Sequence, residues 1–331
     1  MRPIQEAFPL LGTPKKVFIT THHKPDGDAI GSMLGLAHYL VKLGHYVTAV
    51  SPCEAPDFLE WVPGMQNVLN YEENTQQSLD ALAECDLIFC VDFNDYSRTK
   101  TLETPLANAT QPKVLIDHHL MPKPYWDYGM SVPEKSSTCE MVYDFINLMD
   151  NNHLIDVDIA ECLYTGVLTD TGSFRFPVTT ADVHRMIANL KDHGLEHSKI
   201  HELIYDSWSE TRMRFLGYVL IEKMEVFHKQ KAALITLSKE DMKLFNVQSG
   251  DSEGLVNYPL SIGNIKFATL ITERSDEVKL SFRSKGEFDV STFARTYFEG
   301  GGHFNASGGR SKLSFKETIT YFKKILSDIH P

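Results

Sequence analysis

Short apolar runs closed by acidic or imidazole residues recur along the first half of the chain. Residues 17–19 lead into Thr21-His22-His23-Lys24-Pro25-Asp26-Gly27-Asp28. Residues 86–91 are closed by Asp92, and residues 113–116 by Asp117-His118-His119. Runs of this length without polar alternation are expected of strands buried on both faces. Between them apolar residues recur at helical spacing. Leu34, Leu36, Ala37, Leu40, Val41 and Leu43 predict a helix over 30–43, and Ile159, Cys162, Leu163 and Val167 predict one over 157–168. Residues 46–50 predict a further strand. Ser137 with Glu140 has the spacing of a capping box ahead of a helix that runs to Met149. Strand, loop, helix and strand in this order predict an α/β domain built on a parallel sheet.

The pattern changes after residue 179. Residues 179–224 are polar and mostly helical by spacing. From Met224 strands return, over 232–237, 265–272 and 277–283, with Glu273-Arg274-Ser275-Asp276 as the turn of a hairpin. A helix is expected over 290–298, then the glycine run 300–302, then a last helix over 315–329. The expected architecture is therefore a parallel-sheet domain over 1–194, a helical connector over 195–224 and a smaller α/β domain over 225–331. An active-site cleft is expected between the two domains.

Composition narrows the class. The 331 residues are 42% hydrophobic and 23% charged, as in an ordinary soluble protein. The first residues lack the apolar core of a secretory leader, and no run is long enough to span a bilayer, so a cytoplasmic protein with no membrane partner is expected. Cys53, Cys85, Cys90, Cys139 and Cys162 form no C-x-x-C pair and read as reduced core residues. A net charge of −12 argues against tight binding of long duplex nucleic acid but not against a small anionic substrate.

The candidate chemistry lies where the runs end. His22, Asp26 and Asp28 follow the first strand, Asp92 the second, and Asp117, His118 and His119 the third; Asp170 closes a helix. Ligands of open parallel sheets bind at the carboxyl ends of the strands. This donor set suits two divalent ions, manganese ahead of magnesium. Pro25 and Gly27 are expected to bend the first loop so that its carboxylates converge. Apart from His303, the remaining histidines, His23 and His45 among them, are expected on the surface or on helix faces.

These residues carry a resemblance. His22-x-x-Pro25-Asp26-Gly27-Asp28-Ala29-x-Gly31-Ser32, Val91-Asp92, Asp117-His118-His119 and Thr169-Asp170-Thr171-Gly172 resemble the motifs of the DHH phosphoesterases. Ser281-Phe282-Arg283-Ser284 and Gly300-Gly301-Gly302-His303-x-x-Ala306-Ser307-Gly308 resemble their DHHA1 domain. In size and domain pairing the chain is similar to the bacterial bifunctional oligoribonucleases and 3′-phosphoadenosine 5′-phosphate phosphatases.

The resemblance implies two Mn2+ per chain, with Mg2+ as an alternative. His22, Asp26 and Asp92 are implied for one ion, and Asp28, Asp92, His118 and Asp170 for the other, with Asp92 bridging. It implies that His119 faces the scissile phosphate and that Asp117 orients a neighbouring ligand. Arg98, Arg283, Gly301, Gly302 and His303 are implied in substrate binding. Short RNA oligonucleotides and nucleotide bisphosphates are the implied substrates, and a homodimer is compatible with the sequence. The alternatives are a phosphodiesterase for linear or cyclic dinucleotides, an inorganic pyrophosphatase and a non-catalytic nucleotide-binding protein. The glycine-histidine signature ranks against the pyrophosphatase, and intact donors at every motif rank against the silent protein.

Overall fold

The strand Lys16–Thr20 shows why its neighbours carry unbroken apolar runs. Val17 and Ile19 enter one core of the protein and Phe18 enters another, on the opposite face of the same sheet. The computed structural model describes residues 1–248 and 250–329, and the chain divides into two units, Met1–Ser207 and the part from Trp208 onward.

The first unit contains, in order, β1 (Arg2–Pro3), β2 (Lys16–Thr20), α1 (Gly27–Lys42), β3 (Tyr46–Ser51), β4 (Leu69–Asn70), α2 (Thr75–Glu84), β5 (Leu87–Val91), α3 (Glu103–Asn108), β6 (Lys113–Asp117), β7 (Tyr128–Ser131), α4 (Thr138–Leu148), α5 (Val157–Asp170), α6 (Ala181–Asp192) and α7 (His197–Tyr205). The sheet order is β1-β7-β6-β5-β2-β3-β4, and every pairing is parallel. The chain winds outward from β2 to β3 and β4, then returns to β5 on the other side of β2. The strand order reverses between β2 and β5, which is where an open α/β sheet leaves a crevice at its carboxyl edge.

Helices α1, α4 and α5 pack together over one face. Their approach is close enough to dictate glycine. A Cβ on Gly27 would lie 2.5 Å from Thr169 Oγ1, and one on Gly31 would collide with the Cys162 carbonyl oxygen. Gly27 is thus the first residue of α1 and not a bend. The chain turns at Lys24, with φ 57°, and the helix starts three residues earlier than its apolar spacing suggests. Asp26 explains the early start: its Oδ1 caps the helix, accepting from Asp28 N at 3.1 Å and Ala29 N at 3.0 Å.

The second unit holds α8 (Glu210–Tyr218), β8 (Met224–Phe227), β9 (Ala232–Leu237), α9 (Lys239–Leu244), β10 (Phe267–Glu273), β11 (Val278–Ser284), α10 (Val290–Tyr297), β12 (Glu299–Gly302), β13 (Ala306–Ser311) and α11 (Phe315–Asp328). Its mixed sheet runs β12-β13-β11-β10-β9-β8. Phe267, Phe282, Phe293 and Phe322 interlock on the face covered by α10 and α11. The hairpin expected at residues 273–276 joins β10 to β11.

Several local expectations change. The glycine run, to which the sequence pattern assigned no element, is the edge strand β12, paired antiparallel with β13. A Cβ on Gly302, at φ 145°, would lie 2.8 Å from the Ala306 carbonyl oxygen, and one on Gly300 would strike the Gly308 carbonyl. Strand β7 gave no apolar signal, because Tyr128-Gly129-Met130-Ser131 is held by its pairing with β6. His45 is buried, not exposed, and its Nδ1 accepts from Lys15 N at 3.1 Å. All five cysteines are buried free thiols, as expected. Among the described residues no helix is long and apolar enough to cross a membrane.

Candidate metal centre

Each strand that lines the crevice delivers a donor at its carboxyl end. His22 follows β2, Asp92 follows β5, and Asp117 closes β6 with His118 and His119 behind it. The first turn of α1 adds Asp26 and Asp28, and the last residue of α5 adds Asp170. His22, Asp28, Asp92, Asp117 and His118 are buried; Asp26, His119 and Asp170 are partly exposed.

Asp92 is the meeting point. His22 Nε2 lies 3.3 Å from Asp92 Oδ2, while His118 Nε2 and His119 Nδ1 each lie 3.6 Å from Asp92 Oδ1. His118 Nε2 also lies 3.3 Å from Asp170 Oδ2 and 3.8 Å from Asp28 Oδ2. The donors fall into His22, Asp26 and Asp92 on one side and Asp28, Asp92 and His118 on the other, each set with its donor atoms within 4.8 Å of one another. Asp92 has φ 64°, an uncommon conformation for a side-chain-bearing residue, and one that clusters at functional sites.

The adjacent histidines His22 and His23 separate as expected. His22 enters the cluster, whereas His23 Nε2 faces Glu72 Oε1 at 3.6 Å. His119 is held differently from His118: its Nδ1 meets Asp117 Oδ1 at 2.7 Å, which turns Nε2 away from that carboxylate. His118 Nδ1 instead approaches the Lys135 carbonyl oxygen at 3.3 Å, leaving Nε2 among the carboxylates. Arg98 lies beside the cluster with Nη1 3.4 Å from the Asp92 carbonyl oxygen, and its own carbonyl accepts from His23 N at 2.8 Å.

The electrostatics of the cluster are those of buried acids and imidazoles crowded together. Burial, then the Asp92 charge, pushes the Asp28 carboxyl up to about 7. Burial also acts on Asp92, but the His22 hydrogen bond and the imidazole charges outweigh it and hold that carboxyl well below the usual range. Burial opposes charge on His118, yet Asp170, Asp28, Asp92 and Asp117 raise it to about 9. Buried carboxylates are costly unless paired or bound to a metal. The Arg98 guanidinium reaches a carbonyl, not a carboxylate, so the crowd of acids in this crevice fits divalent cations bound by mixed oxygen and nitrogen donors.

Sequence reasoning missed what supports Asp28. The first two amides of α4 close on its carboxylate, Thr138 N on Oδ2 at 2.6 Å and Cys139 N on Oδ1 at 2.9 Å. The Thr138 hydroxyl donates to Asp92 Oδ1 at 2.9 Å. The helix start was legible from Ser137, but its aim was not. The capping box is also rearranged: Ser137 Oγ accepts from Glu140 N at 3.0 Å, while the Glu140 carboxylate goes to Ser136.

In the second unit, Arg283 on β11 pairs with Ala306 of β13, and Ala306 N and O exchange hydrogen bonds with His303. The two residues therefore share one end of the β11-β13-β12 ribbon. Gly301 and Gly302 lie in the adjoining edge strand.

Comparison with known proteins gives the family of the chain. The DHH family N-terminal domain matches residues 16–167 and the DHHA1 domain matches residues 239–329. The chain is 30% identical over 312 residues to the bifunctional oligoribonuclease and PAP phosphatase NrnA of Thermus thermophilus, covering 94% of this chain and 88% of that protein. It is 25% identical to the NrnA of Bacillus subtilis, covering 95% and 93%. The crystal structure of an exopolyphosphatase-related protein from Bacteroides fragilis superposes with a TM-score of 0.94 at 38% identity, covering 98% of this chain and 95% of that one. The chain belongs to the DHH family of phosphoesterases, hydrolases of phosphoester bonds that here carry a DHHA1 domain.

Proposed function

We propose that this protein is a manganese-dependent phosphoesterase that hydrolyses short oligoribonucleotides to nucleoside monophosphates and 3′-phosphoadenosine 5′-phosphate to AMP and phosphate. The observation that carries the two-metal part of this reading is Asp92, whose carboxylate belongs to both donor sets. His22, Asp26 and Asp92 would hold one Mn2+, and Asp28, Asp92, His118 and Asp170 the other, with Mg2+ able to substitute. The substrates are carried by the similarity to proteins named for these two activities.

When bound, a pair of divalent ions supplies a water of lowered pKa and neutralises charge on the phosphoryl oxygens. The protein supplies the rest. Asp117 fixes the His119 ring through Nδ1, so that Nε2 faces the phosphoryl group. Arg98 stands beside the phosphate. Arg283 and His303, with Gly301 and Gly302, grip the nucleotide. Water oxygen forms the new bond to phosphorus, the bond to the leaving oxygen breaks, and that oxygen leaves with a proton. A diribonucleotide yields a nucleoside and a nucleoside monophosphate, and the bisphosphate yields AMP and phosphate.

The test offers the purified chain with Mn2+ a labelled diribonucleotide, a five-residue RNA, the bisphosphate nucleotide, a cyclic dinucleotide, pyrophosphate and a long duplex. Turnover of the short RNAs and the bisphosphate is expected. Turnover of the cyclic dinucleotide alone would move the assignment to that class. Turnover of pyrophosphate alone would overturn it, as would inactivity with metal bound.

A further inference from the structure

The turn before α4 and the first two residues of that helix hold three of the proposed metal ligands, yet contribute none themselves. Lys135 presents its carbonyl to His118 Nδ1 at 3.3 Å. Thr138 and Cys139 present their amides to Asp28, and Thr138 presents its hydroxyl to Asp92. These groups are aimed from the five consecutive residues 135–139, and Glu140 is the side chain that ties that stretch together. The residue is 2% exposed. Oε2 accepts from Ser136 N at 2.8 Å and from Ser136 Oγ at 2.7 Å, and Oε1 accepts from Lys135 Nζ at 2.8 Å. Lys135 Nζ is held in turn by Asp144 Oδ2 at 2.6 Å.

We infer that Glu140 is a positioning residue for the metal centre, acting through Ser136, the Lys135 carbonyl and Thr138 on His118, Asp28 and Asp92. This rests on the two-metal reading above. A carbonyl that accepts from Nδ1 selects the imidazole form whose Nε2 can bind a metal. Helix amides on Asp28 favour its ionised form, which burial and Asp92 oppose, and each amide leaves a second lone pair on its oxygen for a cation. Groups that orient metal ligands typically contribute ten- to hundredfold to metal affinity. Glu140 differs from an ordinary helix cap in that its carboxylate ties the chain upstream of the cap, where the His118 contact lies.

The experiment is an electron paramagnetic resonance titration of the full-length chain with Mn2+, which reads binding without substrate. Glu140→Gln keeps the shape but turns an amide NH2 toward Lys135 or Ser136. It is expected to weaken at least one Mn2+ by about tenfold or more. Thr138→Val removes only the hydroxyl on Asp92 and is expected to weaken binding likewise; Thr138→Ser is expected to restore it. Asp289→Ala, which strips the cap of α10 in the other unit, controls for a general loss of helix stability and is expected to leave Mn2+ affinity unchanged. If Glu140→Gln does not fold, the Thr138 pair decides. Wild-type affinity in folded Glu140→Gln, or in Thr138→Val when Glu140→Gln does not fold, overturns the inference while the two-metal reading stands. Absence of Mn2+ binding by the wild type overturns both.

Discussion

The Asp28 carboxylate accepts from the Thr138 amide at 2.6 Å across 110 residues of chain. A helix N-terminus so placed lets a buried acid stay available to a cation. The same helix reaches Asp92 through the Thr138 hydroxyl, so one element braces both proposed ion positions.

Asp92 is shared by the two donor sets, and its loss should therefore be felt at both. Asp92→Ala is expected to reduce hydrolysis of a diribonucleotide below about a thousandth of wild type, a loss of about 4 kcal/mol of transition-state stabilisation. Steady-state kinetics with saturating Mn2+ checks this, and near-normal turnover would remove the bridging role.

Asp117 touches His119 but no set that excludes His119. Asp117→Asn is expected to lower kcat by about ten- to hundredfold while leaving KM and Mn2+ stoichiometry unchanged. A parallel loss of metal would show that Asp117 is itself a ligand.

Gly166 on α5 makes room for Asp28. A Cβ there would lie 2.6 Å from Asp28 Oδ1 and 2.9 Å from its Cα, and would strike the Cys139 thiol. Gly166→Ala is expected to destabilise the protein by roughly 1–3 kcal/mol through overpacking and to weaken Mn2+ binding. Thermal denaturation with and without Mn2+ separates the two effects.

The pH dependence of the metal-free protein follows from the upward shifts in the cluster, those of Asp28 and His118 and, in the same sense, of His22 and Asp170. Asp28 is raised from its ordinary value to about 7, and His118 to about 9. Between the ordinary and the raised values the folded state holds a proton that the unfolded chain has released. Metal-free stability is therefore present at the acid end and is lost as pH rises through 7 and then 9. Asp92 acts in the opposite sense, with stability lost only as pH falls below the ordinary carboxylate range. Cation binding displaces these protons, so Mn2+ affinity is expected to rise over the same window. Melting temperatures against pH, and calorimetric titrations in buffers of different ionisation enthalpy, check both signs. A metal-free melting temperature that climbs from pH 6 to 9 would contradict them.

Arg283 lies in the second unit, outside the metal-ligand sets. Arg283→Ala is expected to raise KM for the bisphosphate nucleotide by about tenfold or more, the loss of one charge-assisted hydrogen bond, with Mn2+ affinity intact. An unchanged KM on every substrate would remove Arg283 from the binding site.

The sequence by itself determined the three central strands of the parallel sheet, β2, β5 and β6, because burial on both faces demands unbroken apolar runs. It also determined the donors that close those runs, because their order along the chain is a family pattern. The residues alone did not choose between His22 and His23; the family's spacing to Pro25 favoured His22, and the structure places His22 among the carboxylates. Only the tertiary structure decided the rest. β7 and β12 exist through pairing with β6 and β13, and such pairing leaves no periodicity in Gly129 or in the glycine run. The buried place of His45 and the need for glycine at 166 come from neighbours distant in sequence. The aim of α4 at Asp28 is of the same kind. Local spacing reports which face of an element is buried, whereas the direction in which a helix end points is set by the packing of α1, α4 and α5 around it.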